Sequence, residues 1–206
     1  MTRHESIVYI VDDDVSIGRA LTLLLKAHGF RVEAFLCATE FLAFKHLRIP
    51  SCLLLDVRLP DLDGPALQKV MADEKLDIPI VFITGFGSIP IGVKAMKQGA
   101  VDFLPKPFTD LDLLNAVERA LARSKAQNKY GAEIAQIKRR IKTLSPRELE
   151  VFVFVAKGML NKQIASKRGT ALQTIKVHRG RVMQKMQAKT VTELIHFAQK
   201  AGIVPS

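Results

Sequence analysis

Several short stretches of this chain end in residues that can do chemistry. "IVYIVDDD" runs from apolar residues straight into Asp12, Asp13 and Asp14. "SCLLLDVRLPDLDG" does the same at Asp56, after Cys52, Leu53, Leu54 and Leu55. "PIVFIT" stops at a hydroxyl, Thr84, and "VDFLPKPF" carries an ammonium, Lys106, between two prolines. An unpartnered carboxylate is costly to bury, so Asp56 needs a reason to follow an apolar run. Clustered carboxylates raise one another's pKa unless a cation sits among them. All-oxygen donors suit a hard divalent ion such as Mg2+, which takes few carboxylates and completes its shell with phosphate or water. Lys106 offers a point charge to a phosphoryl oxygen, and Thr84 can donate to another. Together they describe a phosphoryl group passed onto a carboxylate, with Asp56 as the nucleophile. The metal and Lys106 would hold the charge that builds on the equatorial oxygens.

These residues work together only if the fold gathers them. "IVYIV" (Ile7 to Val11), "RVEAF", "CLLLD", "PIVFIT" and "VDFLP" read as strands. They alternate with helical patterns at "ALTLLLKAHGF", from about Ala38 to Leu47, around Pro65 to Glu74, at Ile89 to Gln98, and from Thr109 onward. Strict β-α alternation predicts a doubly wound parallel sheet. In such a sheet ligands collect beyond the carboxyl ends of the strands, where all the candidate residues fall. Thr109 with Asp112 gives the last of these helices a capping box, and Phe108 can staple onto Leu113.

Net charge divides the chain. Residues 1–122 hold 13 Lys/Arg against 16 Asp/Glu, a net −3, and residues 123–206 hold 18 against 4, a net +14. A basic half of this kind fits a polyanion partner, although a solvated basic face would have the same charge. The hydrophobic share of 48% supports a substantial core. No apolar run approaches the roughly 18 residues of a membrane span. The N-terminus meets acid where a secretory signal would need an apolar stretch. Cys37 and Cys52 make neither a disulfide framework nor a metal spacing. A cytoplasmic protein without membrane contact is expected.

From about Ser124 to Lys142 the chain is polar and helix-favouring, with Ile134, Ile137, Ile141 and Leu144 in helical register. Ser145, Pro146 and Glu148 then open a new helix as N-cap, N1 and N3. Helices are predicted at Pro146 to Lys157, Asn161 to Lys167, Leu172 to Met186 and Val191 to Lys200, the last with its own capping box from Thr190 and Glu193. On the third of them Ile175, Val182 and Met186 share a core face. Gln173, Lys176, Val177, Gly180 and Gln184 share another. Arg179, Arg181 and Lys185 flank that second face and suit phosphates. Gln173 and Lys176 could reach base edges, and Val177 could meet a thymine methyl.

"VYIVDDD", "LLLDVRLPDLDG", "VFITGFG" and "GAVDFLPKPF" together resemble the receiver domain of two-component response regulators. "LSPRELEVFVFVAKGMLNKQIASKRGTALQTIKVHRGRVMQKMQAKTVTEL" resembles the LuxR-type helix-turn-helix domain, with "NKQIASK" as scaffold helix and "LQTIKVHRGRVMQKM" as recognition helix. The pair points to a regulator of the NarL/FixJ type. Three segments follow: a receiver over 1–122, flavodoxin- or CheY-like with five parallel strands; a helical linker over 123–142; and an all-α DNA-binding domain over 143–206. The resemblance implies Asp56 as phosphoacceptor and Asp12 and Asp13 as the acid pocket. It places Mg2+ on Asp13, Asp56 and the Arg58 carbonyl. Thr84 and Phe103 become the switch pair, Lys106 the invariant cation, and the Lys106–Pro107 bond cis. Asp14 has a supporting role.

The implied partners are a sensor histidine kinase, promoter DNA, RNA polymerase, and a second copy of the chain once Asp56 is phosphorylated. Dimerisation would use the face of the fourth helix, fifth strand and fifth helix. The chain would not be an enzyme beyond phosphoryl transfer to Asp56 and slow self-dephosphorylation. Slowness is expected because Arg58 and Phe86, which flank the water's approach in that family, are poor at orienting a water. Two rivals remain at this point. One is a constitutive DNA-binding regulator with a silent receiver. The other is a phosphohydrolase with an Asp nucleophile, disfavoured because Arg58 stands where such enzymes carry a second acid. The helix-turn-helix pattern departs from its relatives at Arg168, Thr170 and Ala171, and in the mid-helix Gly180. Ala171 forgoes an N-cap typically worth ~1 kcal/mol, and Gly180 costs roughly 1 kcal/mol against Ala.

Overall fold

The computed structural model describes residues 5–47, 49–85 and 89–205 of the 206-residue chain. It falls into two compact units, Met1–Asn128 and Lys129–Ser206.

The first unit is built on five parallel strands, β1 (Ile7–Val11), β2 (Arg31–Phe35), β3 (Ser51–Asp56), β4 (Ile80–Thr84) and β5 (Asp102–Pro105), in the order β2-β1-β3-β4-β5. Helices α1 (Val15–Ala27), α2 (Ala38–Ala43), α3 (Gly64–Asp73), α4 (Ile89–Lys97) and α5 (Asp110–Ile141) connect and follow them. The central strands β1, β3 and β4 are buried throughout, which explains their unbroken apolar runs. Their side chains alternate between two cores. Tyr9, Val11, Leu53, Leu55 and Phe82 pack with Phe41, Leu67 and Met71 of α2 and α3. Val8, Ile10, Cys52, Leu54 and Val81 pack with Leu21 and Leu25 of α1 and with Leu113 and Val117 of α5. Burial drives the Cys52 thiol pKa far upward, so it is an inert core group.

α2 is shorter than the expected Ala38 to Leu47. It ends at Ala43, and Phe44 turns extended with ψ 140°. The reason is aromatic packing. Phe44 and His46 fold back onto Tyr9 and Phe41, with ring centroids 4.6–6.1 Å apart, and such ring pairs outweigh another turn of short helix. α5 continues unbroken through Gly131 to Ile141, so the last helix of the receiver and the expected helical linker are one helix. The reciprocal Thr109–Asp112 cap starts it as expected.

The second unit takes in the end of α5 and four more helices, α6 (Pro146–Ala156), α7 (Asn161–Arg168), α8 (Leu172–Met186) and α9 (Val191–Lys200). Ile137 of α5 is buried in its core with Val151, Phe152, Ile164, Ile175, Val182, Met186 and Leu194. Gly158 and Gly169 close α6 and α7 at φ 79° and 57°, a left-handed conformation that glycine adopts without steric cost. The capping box of Ser145 and Glu148 is complete. The one expected at α9 is half formed. Thr190 accepts the Glu193 N–H, but the Glu193 carboxylate takes the N–H of Lys189 instead of that of Thr190. Among the described residues no helix is long and apolar enough to cross a membrane.

Candidate phosphoacceptor site and nucleic-acid interface

The carboxyl ends of β1, β3, β4 and β5 bring Asp12, Asp56, Thr84 and Lys106 to one mouth, through the parallel register that pairs Asp56 with Ile83 and Thr84 with Pro105. Lys106 Nζ donates to Asp12 Oδ2 at 2.9 Å and to Asp56 Oδ1 at 3.1 Å. The backbone N–H of Arg58 donates to the other Asp56 oxygen at 2.7 Å, and that of Asp14 donates to Asp12 Oδ1 at 2.9 Å. Asp12, Asp56 and Thr84 are buried, while Asp13 and the Arg58 side chain are exposed at the rim. The Lys106 N–H donates to the Thr84 carbonyl at 2.7 Å, which extends the β4–β5 pairing to the lysine. The Lys106–Pro107 bond is cis.

Two carboxylates share one ammonium, so the buried cluster keeps a negative surplus. Burial is the largest influence on Asp56 and raises its pKa; the charge of Asp12 adds to that, while the Arg58 N–H and Lys106 oppose it. Burial alone would lower Lys106, but its bonds to Asp12 and Asp56 prevail and raise it. Among the described residues no three His, Cys, Asp or Glu side chains close into a metal cage. The donor set still fits Mg2+, an ion that takes one or two carboxylates and leaves its remaining positions to water and phosphate oxygens. The surplus charge beside Lys106 is what such an ion would neutralise.

Several neighbours hold this mouth in shape through contacts that the sequence reading did not foresee. Asp14 is the N-cap of α1, accepting from the N–H groups of Ser16 and Ile17. Asp61 reaches back to cap α2, accepting from the Thr39 hydroxyl and from the N–H groups of Thr39 and Ala38, and these bonds, that of the hydroxyl first, depress its pKa. Asp63 caps α3 through Ala66. "DLDG" thus ties the loop after Asp56 to two helices. Gly64 is required there, because a Cβ would stand 2.6 Å from the Asp56 carbonyl and 2.9 Å from the Phe82 ring. The Asp63-Gly-Pro run could have been read as a helix start; the contact of Asp61 with α2, 22 and 23 residues away, could not. Phe103 is half-buried against the α2–α4 core. α4 rests on its ring so closely that a Cβ at Gly92 would meet it at 3.3 Å. Phe86, invoked for slow hydrolysis, lies outside the described residues.

In the second unit Gln173, Lys176, Val177, Gly180, Arg181 and Gln184 are exposed along α8, opposite the buried Ile175, Val182 and Met186. Ala171 gives α8 no side-chain cap, as expected. Arg179 donates to Asn161 Oδ1 of α7 at 2.6 Å, which fixes one edge of its guanidinium. Lys185, expected on a phosphate, is engaged within its own unit. Its ammonium donates to the buried Glu148 at 2.6 Å and to the Thr143 carbonyl at 3.1 Å, with the side chain 39% exposed. Its hydrogen bond, then the Ser145 N–H, lowers the Glu148 pKa.

The chain matches the family of response regulator receiver domains over residues 8–118 and the luxR family of bacterial regulatory proteins over residues 142–198. Nodulation protein W of Bradyrhizobium diazoefficiens is 46% identical over 199 residues, covering 97% of this chain and 88% of that protein. The transcriptional regulatory protein FixJ of Rhizobium meliloti is 39% identical over 199 residues, covering 97% and 98%. Among solved structures, the response regulator StyR superposes with a TM-score of 0.82 at 40% identity over 96% of this chain and 100% of that one. Full-length FixJ of B. japonicum superposes with a TM-score of 0.56 at 39% identity, over 96% and 98%.

Proposed function

The chain belongs to the two-component response regulators that join a receiver domain to a luxR-type DNA-binding domain, and from that membership we propose how its own residues carry the signal. Asp56 is the phosphoacceptor. One of its carboxylate oxygens attacks the phosphorus of a phosphohistidine on a sensor kinase. The O–P bond forms, the P–N bond breaks, and the imidazole regains its electron pair and a proton. Lys106 releases its hold on the Asp56 carboxylate to meet a phosphoryl oxygen, and the Thr84 hydroxyl donates to another. Asp12, Asp13, Asp56 and the Arg58 carbonyl would hold Mg2+, whose part is to offset charge on the phosphoryl oxygens. The reading is carried by the bridge of Lys106 Nζ to Asp12 and Asp56 at 2.9 and 3.1 Å.

Movement of Thr84 and Phe103 toward the new phosphoryl group would unseat α4 from the Phe103 ring and favour a second copy on the α4–β5–α5 face. Val93, Met96 and Leu111 are exposed there, and apolar groups of this kind gain from being covered. DNA is then read by Gln173, Lys176 and Val177, with Arg179 and Arg181 on phosphates. The test is labelling with a small acyl phosphate in the presence of Mg2+. One phosphoryl group should appear on the wild type and none on Asp56→Asn. Label that persists in the variant, or forms without a divalent ion, refutes the assignment.

A further inference from the structure

The end of α5 does more than precede the DNA-binding helices. Arg140, in its last turn, donates from Nη1 to the Met186 carbonyl at 3.2 Å and from Nη2 to Gln187 Oε1 at 2.5 Å. Met186 is the last residue of α8 and Gln187 its C-cap, held at φ 54°. A guanidinium on the last carbonyl of a helix satisfies an acceptor that has no partner inside it and meets the negative end of its dipole. Lys185, one residue before, holds the Thr143 carbonyl and Glu148. The C-terminal turn of α8 is thus bound on both sides by the segment from Arg140 to Glu148.

The other end of α8 has little of this kind. Ala171 supplies no side-chain cap, and Gly180 is a weak helix former within the unbroken helix. Apart from the buried Ile175, Val182 and Met186 and the bond of Arg179 to Asn161 of α7, its orientation depends on the fastened C-terminal turn. We propose that Arg140 is a positioning residue of the DNA interface: it fixes the recognition helix by capping its C-terminus from the helix that leads into the domain, without touching DNA. This rests on the reading of α8 as the recognition helix. It gives the last turn of α5 a direct hold on the element that reads the promoter, so fraying or rotation of that turn would be felt in α8.

The test uses the full-length protein and a duplex selected by the wild type. Hydrogen exchange of the free protein comes first. Arg140→Gln should lose protection at the amides of Met183–Gln187 while the amides of α6 and α9 keep theirs. Unchanged protection there overturns the clamp, whatever residues read DNA. In DNA titrations Arg140→Gln should bind about tenfold more weakly with the salt slope of the wild type, and Arg140→Lys, which keeps the charge but not the fork, should recover only part of the loss. A slope lower by about one would mark Arg140 as a phosphate contact instead and overturn the proposal. If Arg140→Gln unfolds, Arg140→Lys carries both measurements. Lys176→Ala, run alongside, tests the recognition-helix reading separately, since its failure to weaken binding would leave the exchange result standing.

Discussion

Each unit of this molecule ties a lysine to buried carboxylates, and the two ties have opposite electrostatics. In the receiver, Lys106 faces both Asp12 and Asp56. Burial holds the Asp56 pKa up, and the charge of Asp12 adds a lesser push in the same direction. In the DNA-binding unit, Lys185 faces Glu148 alone, and the Ser145 N–H completes the Glu148 partners. That carboxylate is satisfied and its pKa is depressed. The same residue types therefore make one cluster with more carboxylates than cations and one matched pair. On the proposed function the first would gain from an added cation or phosphoryl group and the second from neither, and perturbed carboxylates of the first kind are typical of functional sites.

The largest test of this contrast is at Lys106. Lys106→Met removes the ammonium that bridges Asp12 and Asp56, and phosphoryl transfer to Asp56 should slow on the order of 10²-fold, the scale of losing one preorganised charge donor. Stopped-flow labelling with a small phosphodonor measures it, and a rate within threefold of wild type would break the comparison. Chelating the divalent ion should abolish labelling of the wild type altogether, while leaving the melting of the DNA-binding unit untouched.

At the clasp the expected loss is in stability. Lys185→Met leaves the Glu148 carboxylate with the capping N–H of Ser145. The cost should be roughly 1–2 kcal/mol, below that of a fully buried pair because the Lys185 side chain is 39% exposed. Urea denaturation followed on the second unit would reveal it. In DNA titrations the same variant should keep the wild-type salt slope, whereas Arg181→Ala should flatten it by about one unit. Lys176→Ala should lose on the order of 1–3 kcal/mol on the best site and relax sequence preference. If Lys185→Met and Arg181→Ala change the slope alike, Lys185 is a phosphate contact after all.

The smallest effect is in the pH dependence, where the two carboxylates should run in opposite directions. Asp56, with a raised folded pKa, contributes fully below its unfolded pKa and loses that contribution as pH rises through the folded value. Glu148, with a depressed folded pKa, contributes above its unfolded pKa and loses it as pH falls through the folded value. Asp56→Asn should therefore raise the receiver's melting temperature near neutral pH, with the gain disappearing in acid. Glu148→Gln should lower that of the second unit near neutral pH, with the loss disappearing in acid. Thermal melts from about pH 3 to pH 8 would expose a shared sign, which would contradict the contrast.

What the sequence determined by itself is whatever depends on near neighbours. The unbroken apolar runs of β1 and β3, strict β-α alternation, the caps at Thr109 and Ser145, and the core face of α8 are all set within a few residues, so pattern and propensity sufficed. The candidate acids were legible for a related reason, since each follows directly on an apolar strand. Tertiary structure alone decided which charges meet. Lys106 finds Asp12 from 94 residues away and Asp56 from 50. Lys185, read on its own helix as a phosphate contact, is taken by Glu148 from 37 residues away. Asp61 caps a helix that precedes it by more than twenty residues, and α2 ends early because Phe44 and His46 find rings on other elements. A helical wheel shows the direction in which a long charged side chain leaves its own helix. The partner at its tip depends on packing between elements, which no local pattern encodes.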